Sequence, residues 1–379
     1  MVLFYKVREM ENVISVNTTN NSGSISTINR YYWGGGNGFK LLGVKKYHPE
    51  RVINKLLYRL IGCDLLQTPF STLKMFFYII AKTPDRLILN NLHGYYLNVP
   101  LFLFLLRFYK GSLAFYMHDL WLVTGGCVHY DKIRCNRLSQ GCIACPQLNR
   151  YPSSLIDFRR INLVLKRKLL ATLEFDVYAS SEYIKSEFIK SKITAKTLKV
   201  LLPKPNTELT NKYKQSIKQN KGEIKHICFV ATKWNIQKGL SELKEVVEYF
   251  EKVDKIHLHI VGGLDKLNKK EFKSREGVSI YGYLIQDELF QLLSKMDCMV
   301  QLSREESYGL IVVESQLLGV PCIGFNKTGI GETILKPFSS LLNYNGNIQS
   351  MIEEILNFPV LNVDDKKQLQ LRSAYEFLS

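Results

Sequence analysis

Glu305–Gly319, EESYGLIVVESQLLG, reads as a polar loop running into an apolar helix. Glu306 and Glu314 stand eight residues apart, with Gly309 between them at the helix start. Glycine there lets a ligand approach the backbone, and the free N–H groups of a helix N-terminus suit a phosphate. A carboxylate beside them can accept hydrogen bonds from sugar hydroxyls. Glu314 is flanked by Ile311, Val312, Val313 and Leu317, and an acid embedded in an apolar helix needs a partner. A solvated acidic loop before an ordinary helix would not place it there.

Outward from this segment, both halves of the 379-residue chain alternate short β-branched or aromatic runs with amphipathic stretches, the pattern of βαβ units and parallel sheets. Strands are expected at Val13–Asn17, Phe39–Val44, Arg86–Asn90, Leu113–Met117, Asp176–Ala179 and Leu198–Leu202. A second set falls at His226–Ala231, Ile256–Val261, Val278–Tyr281, Cys298–Leu302 and Pro321–Phe325, with helices at Gly239–Lys252, Asp287–Lys295, Leu310–Leu318 and Ile348–Leu356. Pro203-Lys204-Pro205-Asn206 cannot be interior helix or central strand, so the chain divides there into domains 1–203 and 204–379. Charge divides at the same point. The chain carries 51 Lys+Arg against 34 Asp+Glu, a net of +17, and +16 of it lies in Met1–Pro203. Such asymmetry suggests different partners for the two halves, with an anionic one for the first. Composition argues against wholesale disorder, and eight cysteines are too few for a disulfide scaffold. Lys6, Arg8 and Glu9 interrupt the start where a signal peptide needs an apolar run, and Val99–Tyr109 is about half the ~20 residues of a spanning helix. A soluble, cytosolic protein is expected, with Leu101–Phe104 in the core.

Glu305–Gly319 resembles the E-x7-E motif of retaining GT-B glycosyltransferases, glycosyltransferase family 4 in particular. The resemblance implies two Rossmann-like domains with parallel sheets facing a cleft, the first binding acceptor and the second a nucleotide-diphosphate sugar. It puts Glu306 against the donor sugar and Glu314 on the nucleotide ribose, with Ser307, Tyr308, Gly309 and Leu310 lining the donor. Ala231–Leu240, ATKWNIQKGL, matches the family's R-x4-K-G with Lys233 in place of Arg, followed by Lys238-Gly239; both lysines would meet the diphosphate. Lysine keeps the charge there but lacks the bidentate fork of arginine. Val278–Leu302 resembles the family's G-x-(n)-E-L helix and following strand. Thr328–Glu332, TGIGE, resembles its glycine turn, and Asn17–Ser26 its N-terminal loop, with Gly23 allowing close approach. The chain stops at Ser379, so Lys366–Ser379 reads as the beginning of the family's final crossover helix.

His118-Asp119 follows the short strand Leu113–Met117 and so belongs at a strand's carboxyl end. His118 resembles the family's N-domain histidine beside the reacting carbon, and Asp119 would orient the imidazole or the loop. Cys127, Cys135, Cys142 and Cys145, spaced C-x7-C-x6-C-x2-C inside an insert at 119–150, suit a structural zinc site, with His129 an alternative ligand. Free thiols or a conditional disulfide fit the same spacing. Cys63, Cys228, Cys298 and Cys322 lie in apolar contexts and read as core. The strings NNLHGYYLN, HDLWLVTGGC and GCIACP resemble a family subset associated with capsule, colanic-acid and O-antigen synthesis. That resemblance implies a lipid-linked oligosaccharide acceptor at the inner face of the cytoplasmic membrane and no metal in catalysis. Phe158–Leu173 is an amphipathic helix candidate whose Arg159, Arg160, Lys166, Arg167 and Lys168 would form a basic face toward lipid or solvent. Three rivals remain open: a GT-B epimerase or hydrolase, a nucleic-acid-binding module with a zinc cluster, and a non-catalytic sugar-binding protein. The second lacks any RNP, KH or helix-turn-helix pattern.

Overall fold

The computed structural model describes residues 13–16, 39–42, 48–130, 135–136, 138, 140–214, 223–343 and 348–378. The chain forms two compact units, divided between Pro203 and Lys204. In the first, β1 (Val13–Val16), β2 (Phe39–Leu42), β3 (Arg86–Leu89), β4 (Ser112–Met117), β5 (Asp176–Ala179) and β6 (Thr197–Val200) make one sheet in the order β2-β1-β3-β4-β5-β6. Every pairing is parallel. Parallel strands must be buried on both faces, and Leu87, Ile88, Leu89, Ala114, Phe115 and Val177 are fully enclosed. Each such side chain contributes about 1.5–3 kcal/mol on burial.

Around this sheet run α1 (Pro49–Ile61), α2 (Phe70–Lys82), α3 (Val99–Leu105), α4 (Arg159–Leu170) and α5 (Glu182–Lys190). Helix α3 starts on Asn98, whose side chain accepts the Leu101 N–H, and it buries Val99, Phe102 and Leu103; Phe104 faces out. Helix α1 has the opposite sidedness. It buries Glu50, Asn54 and Tyr58 and exposes Val52, Ile53, Leu56 and Leu60. Its polar side has specific work, since Glu50 accepts the N–H of Ser71 (2.8 Å) and the Thr68 hydroxyl (2.6 Å), and Asn54 accepts the Thr68 N–H (2.7 Å).

Helix α4 corrects an expectation. Arg159 and Lys166, read as part of a solvent- or lipid-facing basic surface, are 2% and 1% exposed, while Ile161 and Val164 face out. Arg159 donates to the Tyr58 hydroxyl (2.9 Å) and to the Pro152 carbonyl; Lys166 donates to the Trp121 carbonyl (2.7 Å) with its ammonium 3.6 Å from the Trp121 ring centre. These hydrogen bonds and the Trp121 ring hold both cations inside, although Arg159 Nε has no partner among the described residues, and helical periodicity alone does not anticipate that.

The second unit contains β7 (Lys225–Lys233), β8 (Ile256–Gly263), β9 (Val278–Gly282), β10 (Cys298–Gln301), β11 (Cys322–Phe325) and β12 (Ser340–Leu342). They form an all-parallel sheet in the order β12-β11-β10-β7-β8-β9. Edge strand β12 was not expected, since three residues carry too little alternation to be read. On one face Ile227 and Phe229 pack against α7 (Leu240–Phe250) and α11 (Gln349–Asn357). On the other, Cys228, Met299 and Cys322 meet α9 (Gln286–Leu293) and α10 (Leu310–Leu317). Cys63, Cys228, Cys298 and Cys322 are all buried, as their apolar contexts suggested. Helices α6 (Thr207–Lys214), α8 (Lys266–Lys273) and α12 (Val363–Leu378) complete the unit. Helix α12 stays with it, as Phe377 accepts a hydrogen bond from Lys204 (3.2 Å) and Gln370 donates to Lys214 (3.4 Å).

Candidate functional site

In the second unit the strand order reverses between β10 and β7, and open parallel sheets bind ligands at the carboxyl ends of strands flanking such a point. The loops leaving β7 and β10 carry the residues singled out above. Lys233 ends β7 with an exposed side chain that makes no ion pair among the described residues. Asn235 then accepts the N–H groups of Gln237 (2.9 Å) and Lys238 (3.0 Å), closing a turn that aims Lys238 across at the next loop. There Lys238 pairs with the Glu306 carboxylate. Arg304, to which the sequence assigned no role, pins the same loop to α7 through an ion pair with buried Glu242.

The backbone of Glu306 is held from the other side by the TGIGE turn. Its N–H donates to the Thr328 hydroxyl (3.2 Å), and its carbonyl accepts the Gly329 N–H (2.9 Å). Residue 329 must be glycine, because a Cβ would collide with the Ser307 carbonyl. Gly309 adopts φ +90° at the start of α10, and a Cβ there would stand 2.5 Å from Ile330. So Lys238, Glu306, Ser307, Tyr308, Gly309, Leu310 and Thr328–Glu332 come together. The first turn of α10 adds free N–H groups beside them.

Glu314 lies one turn further along α10 and is 5% exposed. It accepts hydrogen bonds from Gln286 Nε2 (3.1 Å) and, at 3.5 Å, from the Asn206 N–H; among the described residues it has no ion-pair partner. Burial pushes its carboxyl up to about 7, against the smaller opposing pull of the two hydrogen bonds. A buried carboxylate with spare lone pairs suits incoming hydroxyl donors.

The first unit holds a separate cluster at the carboxyl ends of β3 and β4. His118 Nε2 lies 2.8 Å from Asn90 Oδ1, and Asn90 Nδ2 donates to the Ser15 hydroxyl (2.8 Å). That orientation makes Oδ1 an acceptor, so the network assigns the proton to Nε2 and leaves Nδ1 with a lone pair. Burial lowers His118 to about 4, so it is neutral near pH 7. Asp119 does not orient this ring. It meets His93 Nε2 instead (2.8 Å) and accepts the Trp121 N–H (2.8 Å). Burial alone would raise the Asp119 carboxyl, but His93 and that N–H outweigh it and hold it below the ordinary value. His93 reaches the Tyr151 hydroxyl with its other nitrogen (3.1 Å). Neither His93 nor Asn90 was assigned a role from sequence; only the string NNLHGYYLN signalled them. Gly23 lies outside the described residues.

Cys127, Cys135, Cys142 and Cys145 are free and half-buried, and the Cys127 thiol hydrogen-bonds Cys145. Among the described residues no three ligand-type side chains converge as a metal site would require. No helix among them is long and apolar enough to cross a membrane.

Residues 211–370 match the family described as Glycosyl transferases group 1. Over 305 residues the chain is 26% identical to the putative colanic acid biosynthesis glycosyl transferase WcaC of Escherichia coli K12, covering 75% of this chain and 69% of that protein. An uncharacterized 41.2 kDa protein in the cps region of Klebsiella pneumoniae is 26% identical over 216 residues, 55% of this chain and 58% of its own. Among solved structures, sucrose-phosphate synthase from Thermosynechococcus elongatus superposes with a TM-score of 0.66 at 14% identity, over 97% of this chain and 95% of that one. Anabaena HepE, solved with UDP and glucose, gives 0.63 at 14% identity over the same shares. These neighbours place both units on the GT-B scaffold that the Glu306–Glu314 segment resembled. With a Glycosyl transferases group 1 domain built around that segment, the chain is a glycosyltransferase enzyme.

Proposed function

We propose that this enzyme moves a sugar, with retention, from a nucleotide-diphosphate sugar held by the second unit to a hydroxyl of a lipid-linked oligosaccharide. The observation that carries this reading is the Lys238–Glu306 pair clamped by the TGIGE turn at the start of α10, with Glu314 buried on the same helix. Lys233, Lys238 and the α10 N-terminus stabilise charge developing on the departing diphosphate, electrostatic work that needs no metal. Glu306 accepts from donor-sugar hydroxyls and Glu314 from the ribose. Neutral His118 in the first unit keeps an Nδ1 lone pair able to accept from a sugar hydroxyl. The UDP and glucose bound by HepE support the donor class, and the names of the colanic-acid and cps-region relatives support a surface-polysaccharide pathway.

The test is calorimetric titration with UDP-, GDP- and dTDP-sugars on wild type and Glu314→Ala. Micromolar binding of one nucleotide class, abolished in the variant, is the expected result; a folded protein that binds none of them ends the reading. Turnover without any acceptor would favour an epimerase or hydrolase instead. A structural zinc on Cys127, Cys135, Cys142 and Cys145 is a separate proposal. Close to one zinc per chain in protein purified without chelator supports it, and four freely titrating thiols without metal refute it.

A further inference from the structure

We propose that the outward faces of α1 and α4 form a docking surface for an anionic lipid bilayer. This deepens the reading of a lipid-linked acceptor and takes its purpose from that reading, but its geometry stands by itself.

The two helices meet through a polar seam. Tyr58 accepts from Arg159 (2.9 Å), the Gly62 carbonyl accepts from Asn162 Nδ2 (2.8 Å), and Asn162 Oδ1 accepts the Asp64 N–H (3.1 Å). Leu155, just before α4, is tied to the last turn of α1 by its N–H to the Arg59 carbonyl (2.9 Å). With the polar side chains turned inward, the apolar ones are left outside: Ile53, Leu56 and Leu60 on α1, then Leu155, Ile161 and Val164. Leu56 is 59% exposed and Leu155 72%. A surface helix facing only water shows the reverse arrangement, and exposed apolar side chains repeated on two adjoining helices mark an interaction site.

Charge selects the occupant. Lys55, Arg59, Arg160 and Lys168 are all exposed on the same two helices. Against these four cations Glu50 is buried, and the exposed Asp157 before α4 receives the N–H groups of Cys145 (2.6 Å) and Arg159 (3.0 Å), which leaves the rim basic. A second copy would press this basic rim against its own like charge, whereas an anionic leaflet complements both the cations and the apolar side chains. The excess of +16 in Met1–Pro203 acts in the same direction.

Flotation of the full chain with phosphatidylcholine vesicles, with and without phosphatidylglycerol, tests the assignment. Binding at least about tenfold stronger to the phosphatidylglycerol vesicles and weakened by salt is expected. Leu56→Glu combined with Ile161→Glu should reduce it at least about tenfold with an unchanged melting temperature, since both side chains are exposed. Equal binding to the two vesicle types, or a double variant that binds like wild type, overturns the proposal. So does a wild-type dimer in sedimentation velocity that the double variant abolishes, which would make the occupant a second copy. Nucleotide-sugar calorimetry on the same preparations separates the two readings. Donor binding without vesicle binding removes the surface alone, and vesicle binding without donor binding removes the donor reading alone.

Discussion

Glu314→Gln should make the protein more stable at pH 8 while weakening its grip on the nucleotide sugar. Burial raises this carboxyl from an ordinary value of 4.5 to about 7. Between those values the folded chain holds a proton that the unfolded chain has lost, so wild-type stability falls as pH rises through that window and levels off above it. The separation corresponds to about 3 kcal/mol. Glutamine keeps an oxygen to accept from Gln286 and the Asn206 N–H but has no proton to release. The variant should therefore match wild type near pH 4.5 and exceed it by up to about 3 kcal/mol at pH 8. Donor affinity should move the other way, by about tenfold or more, because an amide offers ribose hydroxyls one acceptor oxygen where a carboxylate offers two. Thermal melts at pH 5 and pH 8, paired with calorimetry, read both effects. A variant less stable than wild type at pH 8 would show that Glu314 is a structural acid with a partner, not one held in reserve for a ligand.

The burial of that acid was readable from sequence because its apolar neighbours are local, although its hydrogen-bond donors Gln286 and Asn206 come from elsewhere in the chain. Glu306, Gly309 and Glu314 lie within one loop and helix, and Lys238 sits at a fixed offset from a strand end, so spacing alone brings them near one topological position. The glycines of Thr328–Glu332 became intelligible only with Ser307 against Gly329. The first unit was less legible because its cluster is assembled across the chain. Asp119 follows His118 in sequence, yet its partner is His93, and His118 is held by Asn90. Adjacency in the chain places the two side chains on a strand end without deciding which ring each group meets. Helix α4 failed in the opposite direction, and α1, which was not expected as a helix, shares its inverted sidedness. Their sidedness follows from buried hydrogen bonds made by Glu50, Asn54, Arg159 and Lys166, and those partners come from Thr68, Ser71, Tyr58, Pro152 and Trp121. A periodicity argument sees only the helix and therefore put Arg159 and Lys166 of α4 outside.

The largest kinetic loss is expected from Lys238→Met. Lys238 and Glu306 pair with each other, with the lysine one-third and the acid one-fifth exposed. An ion pair that open to water adds at most about 1 kcal/mol to stability, so the melting temperature should barely move. Its value is in turnover. On the proposed function, as the bond to the diphosphate breaks, the charge gathering on the leaving phosphate would compete for the ammonium and release Glu306 to accept from the sugar hydroxyls. Removing one preorganised donor of this kind costs about 10²–10³ in kcat. Lys233→Met should cost less, because that exposed side chain makes no ion pair among the described residues and must be ordered by the donor itself. Glu306→Gln combined with Lys238→Met should lose less than the product of the two single losses, since the groups act as one unit. The measurement is single-turnover transfer at saturating donor, which separates chemistry from donor affinity. A Lys238→Met enzyme within about threefold of wild type would remove Lys238 from the leaving-group site and leave the α10 N-terminus to stabilise the diphosphate without it.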